Sequence, residues 1–296
     1  MSKQVVHILA IESSCDDTSV AIMEASRGDD VPRLLALSLQ SQNEVHERFG
    51  GVVPELASRA HLQNLIPCMS KVLTEAGLEL RDIDLVAATA RPGLVGCLLI
   101  GHSAAKTLSF LLDRPLISCH HIKAHLMSVH LENQIEFPYL AAVVSGGHTS
   151  LYVVRSYDDH EEVGVTLDDA MGEAFDKGAK LLGLGFPGGP EIDRLAGSGN
   201  EAAFKFGKVK VPDFNFSFSG LKSELQRTVK RHPTAKVEDL AASYQTALAE
   251  HLLGKVELAL GHFKLSRFVL VGGVARNSYL RSRLDGWRSS GLIDAW

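Results

Sequence analysis

The chain is poor in cysteine. Its four, Cys15, Cys68, Cys97 and Cys119, are scattered through 296 residues and never form a Cys-x-x-Cys pair. That excludes a disulfide framework and a cysteine-built zinc site, and it suits a reducing, cytoplasmic setting. No apolar run approaches membrane-spanning length. The apolar stretch 5–11 is cut by Glu12 too early to be a secretory leader. A membrane partner is therefore not expected. Cations are not in excess either: the net charge is −5, so overall charge does not point to nucleic acid. The chain is 45% hydrophobic and 22% charged, enough apolar material for a substantial core, divided by its length into two lobes.

Against that background, two features stand out. His121 and His125 are four residues apart, a little over one helical turn, so both imidazoles leave the same face and can share a metal ion. With 13 histidines, about 0.6 such pairs arise by chance, so a helical pair without metal is the competing reading. Soon after comes Val144-Ser-Gly-Gly-His-Thr149, where glycines following an apolar run let backbone N–H groups approach a phosphate. A metal and a phosphate-binding turn together suit an activated phosphoanhydride or acyl phosphate. A third feature is local charge. Residues 205–236 hold eight Lys and Arg, with Phe204, Phe206, Phe214, Phe216 and Phe218 interleaved. Such a segment can track an RNA backbone and stack a base; a solvated basic face with the phenylalanines in the core is the alternative.

Strands alternate with helices throughout. Residues 7–23 read as strand, polar turn, strand, and 139–154 repeat that plan, with Thr18-Ser19 and Thr149-Ser150 in matching places. Helices are expected over 61–76 (stopped by Gly77), 94–112, 191–196, 241–263 and 277–284, with strands at 84–89 and Phe268–Val271. Thr166 and Asp169 read as a capping box opening a helix over 167–182. Two repeated halves with their turns at a central cleft describe an α/β, duplicated actin/sugar-kinase/Hsp70-like fold, divided as 1–138 and 139–296.

Eight segments carry a more specific resemblance. They are Ile11-Glu-Ser-Ser-Cys-Asp-Asp-Thr18, Gly50-Gly-Val-Val-Pro-Glu-Leu-Ala-Ser-Arg59, His120-His-Ile-Lys-Ala-His125, Val144-Ser-Gly-Gly-His-Thr149, Asp168-Asp-Ala-Met-Gly-Glu-Ala-Phe-Asp-Lys177, Phe186-Pro-Gly-Gly-Pro190, Phe216-Ser-Phe-Ser-Gly-Leu-Lys222 and Gly272-Gly-Val-Ala-Arg-Asn277. In this order the chain resembles the tRNA N6-adenosine threonylcarbamoyltransferase family. The resemblance implies transfer of a threonylcarbamoyl group from threonylcarbamoyl-AMP to N6 of the adenosine just 3′ of the anticodon, in tRNAs reading ANN codons. It implies a smaller paralogous subunit of the same fold and a P-loop ATPase subunit as partners.

By the family's pattern His121 and His125 are metal ligands, most often for Fe2+, although imidazole also suits Zn2+. Val143, Val144, Ser145, Gly146 and Gly147 match the turn that binds the adenylate. Asp176, Gly189, Asp193 and Asn277 match contacts to the nucleoside. Glu173 reads as a solvated helix acid, His120 as a supporting residue, and His130 lies too far round the helix to join the pair. A sugar kinase on the same fold is disfavoured by the motif set. A metallopeptidase is disfavoured because Ile122-Lys-Ala124 lacks the general-base glutamate of His-Glu-x-x-His.

Three departures shape the expectations. Lys123 stands where the bacterial family usually has glutamate, on another helical face. Arg91 replaces the first glycine of the family's Gly-Pro-Gly and is expected to strain that turn. Residues 285–296 match nothing in the family, whose C-terminal Asp-Asn turn supplies a third metal ligand, and Asp285 and Asp294 are not substitutes. A second lobe incomplete at its C-terminus is expected, with the tail forming no helix and apolar surface left uncovered. The alternative function is a catalytically impaired form that binds nucleotide and partner.

Overall fold

In the computed structural model, residues 5–26, 31–47, 49, 51–133 and 135–294 are described. Gly50 and the end of the tail at 295–296 lie outside them. The chain divides into two compact units, Met1–Asn133 and Gln134–Trp296, five residues earlier than the division expected from the sequence.

Unit 1 is built on β1 (Val5–Glu12), β2 (Asp17–Ser26), β3 (Arg33–Ser41), β4 (Leu85–Arg91) and β5 (Leu116–His120), in the order β3-β2-β1-β4-β5. The β1–β2 and β2–β3 pairs are antiparallel; β1–β4 and β4–β5 are parallel. A short α1 (Asn43–Glu47) follows β3. Alternation aims Leu9, Ile11, Val20 and Ile22 inward, where α2 (Pro54–Ala76) and α3 (Val95–Leu112) cover them. The buried stripe of α2, Ala57, His61, Leu65, Cys68, Met69 and Val72, keeps helical spacing. Each such buried Leu or Met contributes roughly 1.5–3 kcal/mol. Gly77 ends α2 in the left-handed region, φ 68°, as its position suggested. The helix begins seven residues before the expected start because Pro54 fits its first turn, where a missing N–H costs nothing.

The expectation of no membrane-length apolar segment is corrected by α3. Its 18 residues are long and apolar enough to cross a bilayer by length and composition. One stripe of it, Cys97, Gly101, Ala105 and Leu108, is buried, and much of the rest is exposed. Arg91 ends β4 with an exposed side chain and no positive φ. Helix α4 (His121–Ser128) follows β5 directly.

Unit 2 repeats the plan. Strands β6 (Tyr139–Val144), β7 (Thr149–Val154), β8 (His160–Val165) and β9 (Phe268–Val271) lie in the order β8-β7-β6-β9, with the same antiparallel, antiparallel, parallel pairings. This is the duplication anticipated from the sequence, with four strands among the described residues where unit 1 has five. Strand β6 is buried at all six positions, which explains its unbroken apolar run. The helices are α5 (Met171–Leu181), α6 (Gly188–Ala196), α7 (Ser219–Arg231), α8 (Val237–Phe263) and α9 (Ser278–Ser289).

Two expectations fail here. Helix α5 starts at Met171, not 167. Thr166 instead bridges to Phe216, and its hydroxyl donates to the Asp169 carbonyl at 2.8 Å. Asp168 accepts from Ser217 Oγ, Ser219 Oγ and the Phe218 and Ser219 N–H groups, tying 168–170 to the start of α7. The tail also departs from expectation, since α9 runs on through Gly286 to Ser289. Leu280, Leu284 and Ile293 are buried, Trp287 packs against the same core, and Asp294 N–H donates to the Ser266 carbonyl at 2.7 Å. The tail thus covers apolar surface that the sequence reading left open.

Candidate functional site

The candidate residues fall into one group in each unit. In unit 1, Ile122 and Leu126 anchor α4 by burial, which leaves His121 and His125 half-buried on the neighbouring face of the helix. Their Nε2 atoms are 3.2 Å apart, and the rings meet nearly at right angles, 86°, with centroids 4.6 Å apart. With metal–nitrogen bonds of about 2.0–2.1 Å, that separation subtends about 100° at a shared ion, between the octahedral and tetrahedral values. The pair therefore fits one divalent metal. Lys123 is exposed, as its helical position required, and His130 is buried in the short turn after α4, where burial lowers its pKa. Among the described residues no group of three His, Cys, Asp or Glu could hold a metal. Asp285 lies 3.9 Å from Arg288, and Asp294 accepts from Ser266.

Sequence reasoning missed the residues behind the pair. Glu12, at the end of β1, has Oε2 3.3 Å from His121 Nδ1, and Ser14 Oγ is 3.2 Å from the same nitrogen. Ser14 N–H donates to Glu12 Oε1 at 2.5 Å, and the Thr89 hydroxyl donates to Oε2. Burial alone would raise the Glu12 pKa, but His121, Ser14 and Thr89 together outweigh it and hold it at about 2. Glu12 is thus ionised at neutral pH. The available signal was an acid closing an apolar strand.

In unit 2 the β6–β7 hairpin forms the glycine turn. Val143 and Val144 are fully buried strand residues that anchor it. Ser145 N–H donates to the His148 carbonyl at 2.8 Å, and His148 N–H to Ser145 Oγ at 3.1 Å. A Cβ on Gly146 or Gly147 would meet nothing within 4 Å, so their backbone faces open space. The first turn of α5 lies against this hairpin: Gly172 N–H donates to the Ser145 carbonyl at 3.2 Å.

One turn further along α5, Asp176 Oδ1 accepts from Gly188 N–H at 2.7 Å, so the carboxylate orders the turn into α6 that carries Gly189. Glu173 is no free acid; it pairs with Lys177 at 2.8 Å. Asp193 and Asn277 come together, with Asn277 Nδ2 donating to Asp193 Oδ1 at 3.2 Å and to Gln245 Oε1 at 2.8 Å. Asn277 Oδ1 caps α9 by accepting from Leu280 N–H, and Asp193 also accepts from Ser278 Oγ at 2.7 Å. Gln245, buried in α8, and Ser278 were not anticipated. Chemically, this unit offers backbone donors for an anion and, close by in the chain, carboxylates and an amide suited to hydroxyls and a base.

The basic segment divides. Phe216 and Phe218 are fully buried, and Phe204, Phe206 and Phe214 pack against the core, so the aromatics are structural. Lys222 pairs with Asp169 at 3.1 Å. Lys205, Lys208, Lys210, Arg227, Lys230, Arg231 and Lys236 are exposed. Gly207 N–H donates to Glu224 at 2.8 Å, and the rings of Phe204 and His232 lie 5.3 Å apart, which holds the 204–210 loop alongside α7.

The twice-used strand order and the hairpin glycine turn define a chain of the actin/sugar-kinase/Hsp70 class. Solved structures agree on the fold: HypF of T. kodakarensis (TM-score 0.66, 15% identity, 100% of this chain and 45% of that one) and the Acidaminococcus fermentans (R)-2-hydroxyglutaryl-CoA dehydratase component A (TM-score 0.52, 15% identity, 98% and 90%). Residues 33–293 match the family described as TsaD, tRNA N6-adenosine threonylcarbamoyltransferase. Relatives bearing that name include one from Persephonella marina, 45% identical over 93% of this chain and 80% of its own length. Another, from Anaeromyxobacter sp., is 49% identical over 93% and 83%. The chain belongs to the tRNA N6-adenosine threonylcarbamoyltransferase family.

Proposed function

We propose that the chain is an acyltransferase that moves the threonylcarbamoyl group of threonylcarbamoyl-AMP onto N6 of the adenosine just 3′ of the anticodon in tRNAs reading ANN codons. The observation that carries this reading is the unit 2 constellation: the Gly146-Gly147 backbone, where an added side chain would meet open space, in a turn closed by Ser145 and His148, with Asp176, Gly189, Asp193 and Asn277 on neighbouring elements. The turn grips the adenylate phosphate through backbone N–H groups. Asp176 and Asp193 accept from ribose hydroxyls, and the Asn277 network supports the base.

His121 and His125 hold one divalent ion, Fe2+ or Zn2+, which when bound supplies Lewis-acid stabilisation of the carbamoyl oxygens. The tRNA lies along the exposed cations of the 204–210 loop and α7, whose charge suits a phosphate backbone. The smaller paralogous subunit docks on unit 1, where Leu62, Ile66, Val95, Leu99, Phe110 and Leu111 are exposed on α2 and α3. A P-loop ATPase subunit completes the set. The setting is cytoplasmic, in keeping with four free cysteines.

The test is transfer of labelled threonylcarbamoyl from its adenylate to tRNA with the partner subunits supplied. Transfer to N6 of that adenosine is expected. Tight adenylate binding without transfer would overturn the acyltransferase reading.

A further inference from the structure

A histidine can serve a metal through Nε2 only if its single neutral-state proton sits on Nδ1. At His121 the neighbours of Nδ1 decide this. Glu12 Oε2 lies 3.3 Å away, and the Glu12 carboxylate is already an acceptor twice, from Ser14 N–H and the Thr89 hydroxyl. A carboxylate so placed has no proton to give, so the nitrogen facing it must be the donor. The frame that holds it is rigid. Strand pairing of Ile11 with Ala88 brings Glu12 beside Thr89, and the Ser14 carbonyl is fixed by Leu94 N–H at 2.8 Å.

We propose that Glu12 is the positioning residue of the histidine pair, accepting the hydrogen bond from His121 Nδ1–H and so presenting the Nε2 lone pair of that ring to the ion shared with His125. This rests on the metal reading above. It assigns a function to the Ile11-Glu-Ser-Ser motif that the nucleotide constellation leaves unused. The opposite tautomer would place an N–H where the metal must bind, and ring orientation would be lost as well, since partners of this kind are usually worth ten- to a hundredfold in metal affinity. Ser14 Oγ, 3.2 Å from the same nitrogen, can give or take a proton and therefore cannot select a tautomer.

Two measurements on the full chain test this. The first is nitrogen NMR of histidine-labelled, metal-free protein at about pH 8, where imidazole is neutral. His121 is expected to carry its proton on Nδ1 in the wild type and in Ser14→Ala, and on a mixture of both nitrogens in Glu12→Leu. The second is titration with Zn2+ alone, where Glu12→Leu is expected to bind at least about tenfold more weakly than wild type. A wild-type His121 protonated on Nε2, or equal zinc affinity in Glu12→Leu, overturns the proposal. If Glu12→Leu fails to fold, the wild-type spectrum still decides. If the wild type binds no zinc while its proton sits on Nδ1, the metal reading fails and the contact between Glu12 and His121 stands as structural, which also overturns the positioning role.

Discussion

Gly272 lies so close to Val144 that a Cβ placed on it would stand 2.3 Å from the Val144 carbonyl oxygen. Unit 1 uses the same device. A Cβ on Gly93, just after β4, would stand 2.6 Å from the Ser14 carbonyl oxygen. In each half, a glycine following the parallel strand lets the backbone close on the hairpin turn of the first two strands. Within each unit this places the close approach at the end of its own sheet, beside that unit's candidate residues.

Gly272→Ala should therefore be costly. The residue has φ 98°, a conformation unfavourable for any side chain, and the clash is with backbone that cannot swing away. A loss of about 2 kcal/mol or more in urea denaturation is expected, together with weaker adenylate binding. Gly273→Ala, where a Cβ meets nothing within 4 Å, is the control and should be nearly neutral. Equal stability of the two variants would show that the close approach does not matter.

Asp176→Ala should weaken adenylate binding more than tRNA binding. The carboxylate orders the Gly188 turn, so if it also accepts from the nucleotide as proposed, the loss combines a missing acceptor with a looser turn. Separate titrations of the two ligands check this; unchanged adenylate affinity would remove Asp176 from the site.

Asn277 serves both its helix and its neighbours. Asn277→Ala removes the α9 cap, worth about 1 kcal/mol, and frees Asp193 and Gln245. Asn277→Asp keeps the capping oxygen but sets a carboxylate against Asp193. The aspartate variant is expected to recover part of the thermal stability and none of the nucleotide affinity. Recovery of both would mean that the amide group is not used.

These residues show where sequence reasoning reaches and where it stops. Strand β9 and the end of α2 at Gly77 were legible because their signals are local: an apolar run, and a glycine after a periodic stripe. The hairpins were legible for the same reason. Glu12 was not, since its partner is 109 residues away and only the β1–β4 register brings Thr89 to its side. Gln245 was hidden inside a long helix, since its partner Asn277 is 32 residues away in the chain. The start of α5 was misread because Thr166 with Asp169 has the spacing of a capping box, yet the Thr166 hydroxyl bonds the Asp169 carbonyl and the Asp169 carboxylate takes two lysines. For the phenylalanines of 204–218 a stacking surface and a core position stayed open, because composition cannot distinguish a core-facing ring from an exposed one; the rings are in the core.

Acid should destabilise unit 2 through His251. Burial, helped by the Lys255 ammonium and opposed by Asp168, pushes this imidazole down to about 4 from an ordinary value of 6.5. Between those values the unfolded chain binds a proton that the folded chain refuses, so stability falls as pH drops from about 6.5 to 4, by at most about 3 kcal/mol. Nε2 accepts from Ser217 N–H, a bond that protonation would break. His251→Gln, which keeps an acceptor but does not titrate, should flatten the stability profile in this window. Denaturant melts at several pH values check it, and identical slopes for both proteins would remove His251 as the cause.

The exposed cations give the last prediction. Lys208 and Lys210 lie on the loop held against α7 through Glu224, and Arg231 ends that helix. If they neutralise tRNA phosphates, each contact releases counterions, and log affinity falls with log salt by about 0.7–0.9 per contact. Charge reversal at Lys208, Lys210 and Arg231 together should weaken tRNA binding and reduce that slope by about 2–3. Adenylate affinity should not change, because the phenylalanines beneath these residues stay in the core and the turn at Ser145 is untouched. Binding isotherms at four or five salt concentrations measure this directly. A slope equal to wild type would leave the segment as a solvated face and place the tRNA elsewhere.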